Sequence, residues 1–540
     1  MLSAPDYSKN SVGPSEAVSK EKVIRFAGIS SAANHTSEAQ MDGWSTFVQD
    51  IYSVWNSSPM GKKNAADFRN FFLKTLAMTT DHANDQKKLK KLFEETKRFY
   101  DREVCGEAAL KAASPEDLLF AIFAVTEAKI TAAGGQVAWD ALPPAEQSRR
   151  NTMLERDVCQ KFGEDAFNSL TEEQQCEASF FLWAGCCMHK DLNCHKSGNA
   201  RLMQYWSKNG LTGPILLMNK QNAEHAAIGE PESTKHAEES STCGAVKLTS
   251  LMGSLLNHKD KKKGVQNPHP IFFESMLGFR LRFPDTSNTR YQSHADASAE
   301  IVIHFPLYIQ LLAITRNRKD TRVFMNIELN IWNGLHDIPT ITEICVLALY
   351  GQAIPHPYMR VVRGHHDDPE ASNLLNQGPL HNRVKLHCRL LIEHPEYLYG
   401  PEASYEQGAL DGKPWERPEA VYAVQALAVS LPHLRGALVK FIEGALEGWV
   451  RFSAEFDMGG AISDSTSEQR RRAWMPSTND ANEGGLGTIR LKFKDSPNIS
   501  LDVHNRRQMY CSDTTYSSCH ASQDPLKRRD LGFVTRPLIY

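Results

Sequence analysis

The sequence has no run approaching roughly 18 consecutive apolar residues, so it offers no uninterrupted stretch able to cross a bilayer as one helix. Residues Met1 to Lys22 are polar and lack an apolar core segment, which predicts no secretory signal and a place in the nucleus or cytoplasm rather than outside the cell. Neither sign of charge dominates: the formal net charge is -3, which argues against a protein that coats a polyanion along its whole surface and leaves local basic patches as the way to bind nucleic acid. Cysteine is sparse, 11 in 540 residues, and without a signal these read as reduced thiols rather than a disulfide framework. Internal repeats and low-complexity tracts are absent, which excludes solenoids and linker-like chains. What remains is an ordinary globular balance, 41% hydrophobic and 23% charged, in a length that accommodates two or three domains.

The tail 1–22 is expected to be disordered. Val23 to Ile29 reads as a buried strand, and Ser45 to Trp55 as a helix with Trp44, Phe47, Val48, Ile51 and Val54 on one face. Phe71 to Met78 is apolar and ends at Thr79-Thr80-Asp81, like a strand closed by an acid. An amphipathic helix follows, with Leu89, Leu92, Phe93 and Phe99 inward and Lys87, Lys88, Lys90 and Lys91 outward. Residues 101–175 are helix-rich, and Ser114-Pro115-Glu116 carries the cap and proline of a helix start. A second apolar run spans Phe180 to Cys187; 222–245 lacks periodicity and reads as loop; 246–456 is mostly helical, best shown by Leu434, Leu438, Phe441, Ile442, Ala445, Trp449 and Phe452. Residues 457–480 form a polar break, and the tail mixes a strand, Thr488 to Phe493, with a helix around Asn505-Arg506-Arg507.

Several acids stand at the ends of apolar runs in small, polar contexts. Asp81 begins Asp-His-Ala-Asn-Asp85, where a strand ends and a helix starts; either acid could simply cap that helix. Cys186 and His189 have C-x-x-H spacing, with Leu192-Asn193 beyond; together with Cys194 and His195 they could be zinc ligands, or plain buried side chains. Asp285-Thr-Ser-Asn-Thr-Arg290-Tyr291 is a polar stretch that could equally open a helix at Ser287 or Asn288. In Thr478-Asn479-Asp-Ala-Asn-Glu483-Gly-Gly-Leu-Gly, Thr478 or Asn479 could cap a helix. Its positive dipole end would then hold Glu483 ionised, and the glycines at 484, 485 and 487 would admit a close backbone. Glu343 is a rival acid inside an apolar helical stretch, where a buried structural role is expected. Basic runs lie at Lys259 and Lys261-Lys262-Lys263, at Arg470-Arg471-Arg472 and at Lys527-Arg528-Arg529, with Arg490 apart; each can be an ordinary solvated face, and the last two also have the composition of nuclear-localisation signals.

Taken in order, these blocks resemble eukaryotic cut-and-paste DNA transposases of the hAT-like kind, and a set of proteins of mushroom-forming fungi in which the same blocks recur. Asp81 matches the D-x-A-x-N block, Cys186 and His189 the C-x-x-H mark, Asn193 the Leu-Asn pair after it, Asp285 and Arg290 the D-x-x-x-T-R-W-x-S block with Tyr291 for tryptophan, and Asn479 and Glu483 the T-N-x-x-x-E-G segment. The resemblance covers roughly residues 23–520. It implies an α/β fold: an RNase H-like core, a mixed sheet flanked by helices, in 23–220 with a helical excursion at about 100–175. A loop at 221–245, an all-α insertion in 246–470 and a closing part of the core in 471–540 would follow. It implies metal-dependent DNA cleavage and strand transfer, with Asp81 and Glu483 holding Mg²⁺ or Mn²⁺, two ions roughly 3.5–4 Å apart. Lys261, Lys262, Lys263, Arg471, Arg472 and Arg490 would face DNA, Arg290 could contact phosphate, a homodimer is expected, and no membrane or small-molecule substrate is. The first catalytic aspartate has no counterpart: Asp6 lies in the polar tail, and Asp42 and Asp50 in a helical context. A lost N-terminal strand, and an inactive enzyme, are therefore expected. The alternatives are a non-catalytic DNA-binding or protein-interaction remnant, or a helical scaffold unconnected with nucleic acid.

Overall fold

A computed structural model describes residues 27–29, 34, 36–257, 265, 268–286, 293–364, 368 and 370–512. Along the chain the elements are α1 (Ser37–Ser57), α2 (Arg69–Lys74), β1 (Ala77–Thr80), α3 (Asn84–Ala112), α4 (Pro115–Ala133), α5 (Gln136–Asp140), α6 (Pro144–Asn168), α7 (Glu172–Ala178) and β2 (Leu182–Gly185). There follow α8 (Cys187–Lys208), α9 (Lys220–Ile228), α10 (Pro231–Glu239), α11 (Gly244–Asn257), α12 (Pro268–Leu277), α13 (Ser293–Ile303), α14 (Phe305–Asn317), α15 (Asn326–His336), α16 (Ile338–Ala353) and α17 (Pro355–Arg363). The remainder is α18 (Gly378–Glu393), α19 (Glu396–Tyr399), α20 (Tyr405–Gly408), α21 (Pro418–Ala428), α22 (Leu434–Phe452), α23 (Ala461–Asp464), α24 (Ser467–Arg472), α25 (Asp480–Asp495) and α26 (Leu501–Ser512).

The expected RNase H-like mixed sheet is not what the chain builds: among the described residues 72% are helical and 3% strand, and the sheet there consists of two short parallel strands, β1 and β2. The apolar run 71–78 splits into the end of α2 and the four residues of β1, and the run 180–187 contributes only the four residues of β2. Thr488 to Phe493, whose apolar and polar residues alternate, lies inside α25; Ile489 is buried while Leu491 and Phe493 are exposed. A lone strand leaves its backbone groups unpaired, whereas a helix satisfies them internally, so period-two patterning over six residues yields to the helix. The Val23–Ile29 strand and the tail 1–22 fall largely outside the described residues. The segment 221–245, expected as loop, contains α9 and α10: the Asn219 side chain accepts the Asn222 N–H, left-handed Gly229 ends α9, and Pro231 opens α10. Capping chemistry builds these helices without an apolar stripe.

The chain divides into two units, one of Met1–Ala184, Ser465–Met475 and Asn479–Tyr540, the other of Gly185–Asp464 and Pro476–Thr478. In the first, Met41 and Val48 of α1, Phe72, Met78, Leu89 and Phe93 form a core, with Phe181 stacked on Phe93 at 5.3 Å. Lys97 is buried against it; its Nζ donates to the carbonyls of Leu73 and Thr75 at 3.1 and 2.6 Å, satisfying the C-terminal end of α2, and burial lowers its pKa to about 8. α3 and α6 cross closely through two glycines: a Cβ on Gly106 would lie 1.8 Å from the Cys159 carbonyl oxygen, and one on Gly163 the same distance from that of Arg102.

The second unit is helical and centred on α16, whose residues from Thr340 to Ala353 are all buried beneath α11, α13, α15, α21 and α22. Its continuous stretch Ile338–Arg363 is, among the described residues, the one helix long and apolar enough to cross a membrane, and it forms the inside of this unit. α8 packs along α22.

Candidate functional site

Asp81 follows β1 directly. Its Oδ1 accepts the backbone N–H of Ala83 at 2.9 Å, turning the chain into α3, and its Oδ2 has no hydrogen bond among the described residues. The preceding residue is fixed: Trp183 of β2 donates from Nε1 to Thr80 Oγ1 at 3.0 Å, and the His82 ring sits edge-on to Trp183 at 5.6 Å. Asp85, in the first turn of α3, is engaged with Gln40 and Gln86, and these hydrogen bonds, that from Gln86 foremost, hold its carboxyl below the usual range. Asp42 stands on α1 beside an open groove of about 770 Å³, lined also by Glu95, Arg98, Arg102, Arg156 and Glu164.

Asn479 occupies the N-cap position of α25 without a side-chain capping bond, and Glu483 lies half-buried in the first turn, its N–H bonded to the Asn479 carbonyl at 3.0 Å. Glu483 thus stands in the same unit as Asp81, at a helix end whose dipole favours a carboxylate. Arg490 is exposed on this helix and has no partner among the described residues. Arg471 is paired with Glu468, and Arg472 with Glu177, so that run meets acids of its own unit. Lys261, Lys262, Lys263 and Arg290, and the run 527–529, lie outside the described residues.

Cys186, His189 and Asn193 belong to the second unit. Cys186 is buried at the N-cap of α8, His189 is half-buried in the first turn, and the Asn193 carbonyl accepts Ser197 Oγ at 3.0 Å. The start of α8 is held by the buried Lys190, whose Nζ donates to the Gly185 carbonyl at 2.6 Å and to Glu455 Oε1 at 2.5 Å; Gly185 N–H donates to the same carboxylate at 3.1 Å. Cys187 Sγ lies 3.9 Å from His381 Nε2, and burial pushes its thiol up to about 12. Cys194 and His195 follow on α8, both buried. Among the described residues no three His, Cys, Asp or Glu side chains gather into a metal-holding cluster. Asp285 is exposed between α12 and α13. The rival acid Glu343 is buried on α16, accepting Trp206 Nε1–H at 2.9 Å and Ala245 N–H at 3.0 Å; burial lifts it to about 7.

A buried acid that sequence reasoning missed is Asp191 on α8. Burial lifts its carboxyl to about 7, and Oδ1 finds no hydrogen-bond partner. His356 of α17 lies near it, with Nε2 3.1 Å from Asp296 Oδ1 and Nδ1 3.4 Å from Glu416 Oε2. Burial pulls this imidazole down, but the hydrogen bond and charge of Asp296, with Glu416 and Asp191, outweigh it and leave the pKa raised. The only sequence signal was an acid within the C-x-x-H helix, indistinguishable from a surface residue.

No family model, curated protein or solved structure matches the chain.

Proposed function

We propose that this is a transposase-derived protein that contacts DNA, with Asp81 and Glu483 as the surviving part of a divalent-metal site for phosphodiester chemistry. The observation that supports it best is the state of Asp81: it ends a strand, its turn is fixed from both sides, and one carboxylate oxygen is left without a hydrogen bond. That oxygen is open to solvent, where a water or a hard cation can take it. Glu483, in the same unit and in the first turn of a helix, is the second donor in this proposal, and Mg²⁺ or Mn²⁺ would supply the Lewis acidity that polarises a phosphate. Two acids in place of three predict weak metal binding and slow or absent cleavage. The order of motif blocks along the chain is the second support, and it does not depend on a mixed sheet.

Titration of Mn²⁺ into the parent chain, into Asp81→Ala and into Glu483→Ala tests it by calorimetry. Stoichiometric binding lost in both variants supports a shared site. Silence in the parent ends the metal reading, and salt-dependent binding of duplex DNA, measured by fluorescence anisotropy, then decides whether a DNA-binding remnant survives.

A further inference from the structure

We infer that the exposed face of α4 is a self-association surface, covered in solution by α4 of a second copy of this chain. α4 is a 19-residue helix none of whose described side chains is buried, although it is among the most apolar segments of its unit. Leu119, Phe120, Ile122 and Phe123 are 57%, 75%, 61% and 65% exposed, and Val137 of α5, which packs on α4, is 84% exposed. The other side of the helix, Leu118, Ala121, Val125 and Lys129, is partly covered, and α6 packs on this helix. Scattered apolar residues on a surface need no explanation, but these four fall within five residues on one helix.

Area identifies the occupant. A large side chain presents about 150–250 Å² when bare, so these five residues expose on the order of 600 Å², at or beyond the largest patch of a typical monomer. A stable interface needs about 800 Å² per partner, which the patch approaches once its rim is added. The stripe is also self-complementary. Phe123, Leu119 and Phe120 share one face by i, i+3 and i, i+4 spacing, with Glu116 and Glu127 at its two ends. A two-fold axis level with Ala121 sets antiparallel helices so that Leu119 meets Phe123 and Phe120 meets Ile122, while Glu116 meets Thr126 and Glu127 meets Pro115. No acid then faces an acid, and the four large apolar side chains of each copy meet those of the other.

Sedimentation velocity and light scattering over a concentration series test this with the full chain. The parent is expected at twice the mass of one chain. Phe120→Glu with Phe123→Glu should weaken association by on the order of 100-fold or more, because buried aromatic anchors dominate such interfaces. Phe123→Leu and the remote Val429→Glu, at a position 96% exposed, should leave the dimer intact. Should the double variant lose far-UV circular dichroism, Leu119→Lys takes its place and must shift the equilibrium the same way. A parent that stays monomeric at every concentration, or a dimer indifferent to the glutamates, overturns the inference and leaves α4 to a different partner.

Discussion

Gly448 of α22 packs directly against Cys194 of α8: a Cβ at 448 would lie 2.9 Å from the Cys194 Cα. One turn earlier, a Cβ at Gly444 would lie 2.6 Å from the Ser197 carbonyl oxygen, so two glycines four apart let the helices approach backbone to backbone. Gly448→Val is therefore expected to destabilise the protein by about 1–3 kcal/mol through overpacking, read as a lower urea midpoint. Gly487→Ala is the contrast. It lies in the exposed middle of α25 with nothing within 4 Å of its would-be Cβ, and should stabilise by about 0.5–1 kcal/mol. Gly448→Val matching the parent would sink the close-packing account.

Glu455 holds both Lys190 and the Gly185 N–H where α8 begins. Removing it strands a fully buried ammonium, and Glu455→Ala should cost about 3–5 kcal/mol in chemical unfolding. Replacing the pair by Lys190→Met with Glu455→Leu should recover most of that loss. A double variant as unstable as the single one would show that the charge is not the cause.

Glu343 serves two buried donors, the Trp206 indole and the Ala245 amide. Glu343→Ala leaves both unsatisfied at about 1–3 kcal/mol each, which denaturant unfolding would report. This acid is thus a structural part of the second unit, and substituting it should leave any Mn²⁺ titration unchanged; loss of Mn²⁺ binding in a folded Glu343→Ala protein would contradict that role.

Asp191 sets a pH dependence. Its carboxyl rises from 3.8 unfolded to about 7 folded, so between those values the native state holds more protons than the unfolded chain. Stability therefore falls as pH rises from about 4 to 7 and levels off above, by about 1.4 kcal/mol for each tenfold difference in proton affinity between the two states. Glu343, also lifted to about 7, and His356, raised from 6.5, act in the same direction. Asp191→Asn should flatten part of that slope and raise stability at pH 8. An unchanged profile would mean that Asp191 is ionised in the native protein.

Much of the helical architecture was legible. Ser114 caps α4 as its serine-proline start predicted, α22 carries the predicted apolar stripe, and Glu343 is buried as its apolar context required. The sheet was misread because apolar runs at 71–78 and 180–187 satisfy a strand and a buried helix end equally well. Asp191 escaped notice because one polar residue on a helix carries no mark of the side it will face.

What is local is written in neighbouring residues: helix starts at Ser114 and Thr171, and a helix end at left-handed Gly134. These depend on hydrogen bonds and backbone sterics within a few residues. Packing between distant segments settled that Thr488–Phe493 is helix and that Gly448 meets Cys194. It also decided that Asp191 is buried without a full set of partners while four large apolar residues of α4 remain outside. Each of these turns on which distant segment packs against the residue, and burial free energy depends on that neighbour rather than on the residue's place in the chain.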